Sequence, residues 1–79
     1  MINRLRKICK AIFTNSTIDF DSMNGDSRLV DDIALNSISM LLLAIAIEEE
    51  FTIELSSEEA SKCVTVNDIL AIIEKELKG

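Results

Sequence analysis

The segment from Asn36 to Phe51 constrains this chain most. Asn36 is a strong helix N-cap residue, and the fifteen residues after it contain neither proline nor glycine. Met40, Leu43, Ala44, Ile47 and Phe51 recur at i, i+3, i+4, i+7 and i+11, which is one complete apolar stripe of a helix over Ser37–Phe51. The opposite side is apolar too, with Ile38, Leu41, Leu42 and Ile45. One helix of a small domain rarely buries its whole circumference. Part of the second stripe is therefore expected at the surface, where apolar clusters rimmed by charge mark partner sites. The alternative is that Leu41, Leu42 and Ile45 pack beneath a long preceding loop.

The chain has 79 residues, no proline and two glycines, which allows one small domain, residues 1–79, and favours helices over a turn-rich β fold. Ile2, Leu5, Ile8, Cys9 and Ile12 set a first helix over Ile2–Phe13. Ser56 and Glu59 can form a capping box at the start of a short helix, Ser57–Lys62. Val66, Ile69, Leu70, Ile73 and Leu77 form the core stripe of a last helix, starting after Thr65 and reaching about Leu77. Residues 14–36 are rich in Asn, Asp and Ser and read as a loop, with Ile18, Phe20, Leu29, Val30 and Ile33 as anchors to the core. A loop this long in a compact domain points to function. The expected fold is all-α, a small four-helix bundle with three longer helices and one short one, and a long loop between helices 1 and 2.

Charge and composition exclude several function classes. Residues 1–14 hold Arg4, Arg6, Lys7 and Lys10 and no acid, while the other 65 hold 14 acids against four bases, a net of −10. Such an acidic body argues against nucleic-acid binding and favours partners with basic surfaces. The basic first helix reads as a solvated face. With no histidine, and with Cys9 and Cys63 far apart, the chain lacks a zinc ligand set. Both cysteines are expected as buried free thiols in a reducing cytoplasm. Asp19, Asp21, Asn24 and Gly25 suggest calcium, yet no EF-hand register works: Gly25 at position 6 puts Phe20 at position 1, and a start at Asp19 puts Val30 at position 12. No metal site is expected. Charges interrupt Ile2–Phe13 too often for a signal peptide, and the uncharged run Ile33–Ile47 is short for a bilayer span. A cytoplasmic protein without membrane insertion is the expectation, and a monomer.

Ser37 falls at the first position of the long helix. A hydroxyl there is exposed and faces the positive end of the helix dipole and the free N–H groups of the first turn, which suits an attached phosphate. An enzyme is poorly supported, because no base can be assigned to Ser37.

Val30-Asp31-Asp32-Ile33, Asn36-Ser37-Ile38, Glu48-Glu49-Glu50-Phe51, Glu58-Glu59-Ala60 and Thr65-Val66 stand without gaps at a shared spacing. In this pattern the chain resembles the acyl carrier protein family, whose signature is Asp-Ser-Leu followed by a helix ending in Glu-Glu-Phe. The resemblance implies that Ser37, flanked by Asn36 and Ile38, carries a covalent 4'-phosphopantetheine arm whose thiol holds acyl groups as thioesters. It implies a phosphopantetheinyl transferase and acyl-loading and acyl-processing enzymes as partners, docking on the outward side of helix 2 through Ser39, Leu41, Leu42, Ile45, Glu48 and Glu49. It also implies a groove for the acyl chain, with Met40, Leu43, Ala44, Ile47, Leu55, Ala60, Cys63 and Ile69 as its candidates; plain core packing explains the same residues. The chain departs from the family where Asn36 replaces Asp and where Ser39 and Leu42 stand in place of common acids. These changes make the docking face more apolar, which fits a dedicated carrier of a specialised pathway, polyketide or nonribosomal-peptide in type, better than general fatty acid synthesis. An aminoacyl or peptidyl carrier, and an unmodified interaction module using helix 2, are the competing readings.

Overall fold

Helix α2 runs over Ser37–Phe51, as its apolar stripe dictates, and forms the spine of the domain. A computed structural model describes residues 1–78 and every side chain among them except that of Ser57; Gly79, the last residue of the expected domain, lies outside the described residues. Helix α1 spans Ile2–Ile12, α3 spans Ser57–Ser61 and α4 spans Val66–Lys78. Leu43, Ala44, Ile47 and Phe51 of α2 are buried together with Leu5, Ile8 and Cys9 of α1 and Val66, Ile69 and Ile73 of α4. Leu55 and Ala60 close the core on the α3 side, and Phe20, Met23, Leu29, Ile33 and Leu35 bring the long loop into it. The fold is the expected helical bundle with three longer helices and one short one.

Several details differ from the sequence expectation. Phe13 is not helical: it caps α1, its N–H bonded to the Cys9 carbonyl, and its ring stacks on Phe20 at 5.9 Å. The loop holds a 3₁₀ turn, Phe20–Ser22, capped by the Asp19 carboxylate, which accepts from the Asp21 N–H at 3.1 Å. Helix α3 stops at Ser61, one residue early, and α4 runs one residue past Leu77. Val30 does not anchor the loop but is 65% exposed, whereas Ile18, half-buried, packs against the core as expected. Leu77 is half-exposed because the helical period of α4 continues after its buried stripe ends at Ile73. Cys63 is half-buried rather than buried.

The basic face of α1 is not simply solvated. Arg4 donates to the Glu50 carboxylate at 3.0 Å and lies 4.3 Å over the Phe51 ring, tying the start of α1 to the end of α2. Arg6 donates twice to the Met23 carbonyl, at 2.9 and 2.6 Å, and Lys10 pairs with Asp21. Three of the four cations thus hold the loop and α2 in place.

Main-chain bonds lace the loop to the start of α4. The Leu29 N–H donates to the Val64 carbonyl at 2.9 Å, the Val66 N–H to Ser27 at 3.0 Å and the Asn67 N–H to Gly25 at 2.9 Å, around an antiparallel bridge between Arg28 and Thr65. The loop carbonyls thereby satisfy two N–H groups that a helix start leaves without partners. The Asn67 side chain lies over Gly25, where a Cβ would oblige it to move aside. Asp68 completes the lacing. Its carboxylate accepts from the Val64 N–H at 2.8 Å and the Thr65 N–H at 3.0 Å.

The Thr65 and Val64 N–H groups hold the Asp68 carboxyl below its ordinary value of 3.8. The folded state therefore gains stability from Asp68 above pH 3.8 and loses that gain as pH falls through the depressed folded value. Thermal melts of Asp68→Ala are expected to run below wild type at pH 7, with the gap narrowing as pH falls below 3.8.

Helix α2 ends on Thr52, whose φ of 54° and ψ of 50° are left-handed. The Thr52 and Ile53 N–H groups both bond to the Glu48 carbonyl, the six-to-one closure that normally has glycine at this point. A β-branched residue is strained here. Thr52→Gly keeps both bonds and is expected to stabilise the fold by about 1 kcal/mol, raising the melting temperature by about 4–8 °C.

Candidate functional site

Ser37 is placed by a short relay of backbone anchors. Leu29 is fixed to Val64, and the Leu35 N–H donates to the Leu29 carbonyl at 2.9 Å. The Leu35 side chain is buried, which plugs the chain into the core two residues before the helix. Ala34 takes a positive φ of 59° and turns the chain outward. Asn36 then caps α2: its side-chain oxygen accepts from the Ser39 N–H at 2.8 Å and its carbonyl accepts from Met40 at 2.9 Å. Ser37 follows as the first residue of α2, exposed, with no acid in that first turn to cancel the positive helix end.

Beside Ser37 lies a cleft of about 700 Å³, between the start of α2, the loop and α3. Its walls are Leu29, Val30 and Leu35 from the loop, Asn36, Ser37, Met40 and Leu41 from α2, and Glu58, Ala60, Ser61 and Cys63 from the α3 side. That volume lies within the usual range for small-molecule pockets. Of the eight residues proposed from sequence for a groove, Met40, Ala60 and Cys63 line it. Leu43, Ala44, Ile47, Leu55 and Ile69 do not, because each is buried in the core between helices. Periodicity marks the buried stripe of α2 but not which end of it opens to solvent. The contributions of Val30 and Leu41 depend on the loop lying against α2, which no local signal announces.

The second stripe of α2 is at the surface. Ile38 is 71% exposed, and Leu41, Leu42 and Ile45 are between 45% and 49% exposed. Ser39 and Glu48 are half-buried and Glu49 is exposed at the far end. The loop does not cover this stripe, so packing beneath it does not explain its composition.

The site holds no nucleophilic machinery of its own. Burial pushes the Cys9 thiol up to about 11. Burial, and then the charges of Asp68 and Glu59, also raise Cys63. Both stay protonated near neutral pH, and a thiol is a weak nucleophile. Among the described residues, no group of three or more His, Cys, Asp or Glu is placed to hold a metal, and no helix is long and apolar enough to cross a membrane. The site does suit a covalent, flexible, phosphate-linked group on Ser37: an accessible hydroxyl, a positive helix end for the phosphodiester, and an apolar recess for what the group carries.

Comparisons with known proteins agree. Residues 3–73 match the family model described as "Phosphopantetheine attachment site". The chain is 37% identical over 76 residues to an acyl carrier protein of Buchnera aphidicola subsp. Acyrthosiphon pisum, covering 96% of this chain and 95% of that one. It is 34% identical over 70 residues to an acyl carrier protein of Solidesulfovibrio magneticus, covering 89% and 90% of the two chains. In fold it is similar to the crystal structure of an acyl carrier protein from Thermotoga maritima, with a TM-score of 0.84 and 23% identity over 98% of this chain and 86% of that one.

Proposed function

This chain belongs to the acyl carrier protein family, and from that premise we propose that Ser37 is the residue that bears its prosthetic group. The protein is a carrier and not an enzyme, and its prosthetic group is covalent 4'-phosphopantetheine. The group supplies a terminal thiol that holds an acyl group as an activated thioester. Phosphopantetheinyl transferase and biosynthetic enzymes are its partners in general.

The observation that carries the choice of Ser37 is its exposure at the first residue of α2, in the wall of the cleft. Asn36 holds the first turn open toward solvent by satisfying the Ser39 N–H. The α2 N-terminus stabilises the negative phosphodiester. Met40, Leu41, Ala60 and Cys63 offer an apolar wall that keeps water from an acyl chain lying in the cleft. The exposed stripe of α2 receives the partner enzymes. Residues 1–79 work as a single carrier domain, and its two free thiols fit a reducing cytoplasm. Ser39 and Leu42, where acids would strengthen docking to basic enzymes, support service to a few enzymes of a dedicated pathway.

Intact mass after incubation with coenzyme A, magnesium and a broad-specificity phosphopantetheinyl transferase tests the assignment. One added phosphopantetheine, located by peptide mapping to the fragment containing Ser37, is the expected result. No addition with several transferases would overturn it and favour an unmodified interaction module.

A further inference from the structure

Asn24 and Gly25, which fit no calcium register, are left without a role by carriage on Ser37. Of the five asparagines of the chain, only Asn24 precedes a glycine. Glycine has no Cβ to crowd its own nitrogen or to restrict its backbone, so an Asn-Gly pair can close a five-membered ring through the main chain. The fold holds this pair in a turn at the surface, with Asn24 exposed and Gly25 half-buried. The Asn24 N–H donates to the Ser27 hydroxyl at 3.0 Å, and the Ser27 N–H donates back to the Asn24 carbonyl at 3.1 Å. The Asn24 side-chain oxygen accepts from the Asp26 N–H at 2.9 Å. Between these donors the Gly25 N–H has no partner among the described residues, and neither has the Asn24 side-chain NH2.

Each atom that a cyclisation needs is therefore in a suitable state. The Gly25 nitrogen is tied by no hydrogen bond and is free to lose its proton to solvent. The carbon it would attack, Asn24 Cγ, belongs to a carbonyl whose oxygen already takes a main-chain hydrogen bond, so negative charge developing on that oxygen is stabilised as it forms. The leaving amine is held by nothing. The other asparagines lack this combination. Asn3 and Asn67 lie within helices, Asn36 caps α2, and the N–H after Asn15, that of Ser16, is bonded to the Phe13 carbonyl at 3.0 Å.

We propose that Asn24 is a self-modification site, where the chain deamidates through a cyclic imide and thereby unfastens its loop from α4. The Gly25 nitrogen bonds to Asn24 Cγ, the Cγ–Nδ2 bond breaks, and ammonia leaves with the proton given up by Gly25. Water then opens the imide at one of its two carbonyls. Opening at Cγ restores the ordinary main chain and leaves an aspartate. Opening at the main-chain carbonyl leaves an isoaspartate, in which the chain runs through Cβ and Cγ. The net reaction consumes one water and releases one ammonia. Both products carry one more negative charge than the −6 of the unmodified chain. The isoaspartyl product also has one extra main-chain atom just ahead of Gly25, whose carbonyl holds the Asn67 N–H at 2.9 Å and over which the Asn67 side chain lies. That longer backbone puts the fastening of the loop to the start of α4 out of register. The inference does not rest on the carrier reading.

The test incubates the full chain at neutral pH and growth temperature, native and in urea, beside Asn24→Gln. Anion exchange follows the added charge and peptide mapping places it. Native wild type is expected to gain one negative charge at position 24, at a rate no more than about tenfold below that of the unfolded chain. Glutamine would have to close a six-membered ring, and Asn24→Gln is expected to react at least about tenfold more slowly, a difference of about 1.4 kcal/mol in the barrier. The isoaspartyl fraction is expected to melt about 4–8 °C below the unmodified chain. Asn24→Asp, which adds the charge without lengthening the backbone, is expected to melt with wild type. A charge gain that maps elsewhere, one less than about tenfold slower in Asn24→Gln, or a native rate more than about tenfold below the unfolded one overturns the proposal. So does an isoaspartyl fraction that melts with wild type.

Discussion

Ser37→Ala is expected to abolish phosphopantetheine addition while leaving the fold intact. In the proposed assignment the Ser37 hydroxyl oxygen takes the phosphoryl group, and alanine offers no replacement. Structural loss does not explain such a result, because Ser37 is exposed and the cap is made by Asn36 rather than by Ser37. Alanine is also a better helix former than serine in the first turn. The melting temperature is therefore expected to stay within a few degrees of wild type while the mass gain disappears. Asn36→Asp provides the contrast: aspartate caps as well as asparagine, so α2 begins at the same place and modification persists. Intact mass and a thermal melt on the three proteins separate loss of chemistry from loss of fold.

Ile47→Ala has the largest expected effect on stability. Ile47 is fully buried at the centre of the α2 stripe. Truncation there costs about 2–5 kcal/mol from lost burial and the cavity left behind. A domain of 79 residues has about 4–12 kcal/mol of stability in total. The variant is expected to melt about 10–40 °C below wild type, and at the lower end of that stability range it is unfolded at growth temperature. Leu42→Ala, one and a half turns earlier on the same helix, is exposed and is expected to change stability by less than about 0.5 kcal/mol. Circular dichroism melts of the pair would separate the two faces of α2. Equal losses from both substitutions would mean that the outer stripe is packed after all.

The two faces of α2 were legible because a helix repeats at a fixed angle, and the residues at i, i+3 and i+4 fall on one side whatever surrounds them. Asn36 and Ser37 were legible for a related reason: capping is a local event, settled within four residues. Val30 was not. In sequence it is one more apolar residue between Leu29 and Ile33, and only the bond from Leu29 to Val64 and the turn that follows decide which of the three faces outward. The 3₁₀ turn at Phe20–Ser22 and the bridge between Arg28 and Thr65 likewise depend on segments far apart in the chain. The cleft was half legible. Its α2 and α3 walls follow from helical faces, but Leu29, Val30 and Leu35 join it only once the loop has been laced to α4.

That lacing has a practical consequence for redesign. The carbonyls of Gly25, Ser27 and Val64 and the N–H groups of Leu29, Val66 and Asn67 are main-chain atoms. They are the same whatever side chains the loop displays. The exposed positions Asp26, Val30 and Asp31 are thus available for recoding without moving the serine, provided that the buried Leu29 and Leu35 are kept. A library confined to those positions and to Leu42 is expected to vary which enzymes recognise the carrier while the proposed attachment point stays fixed.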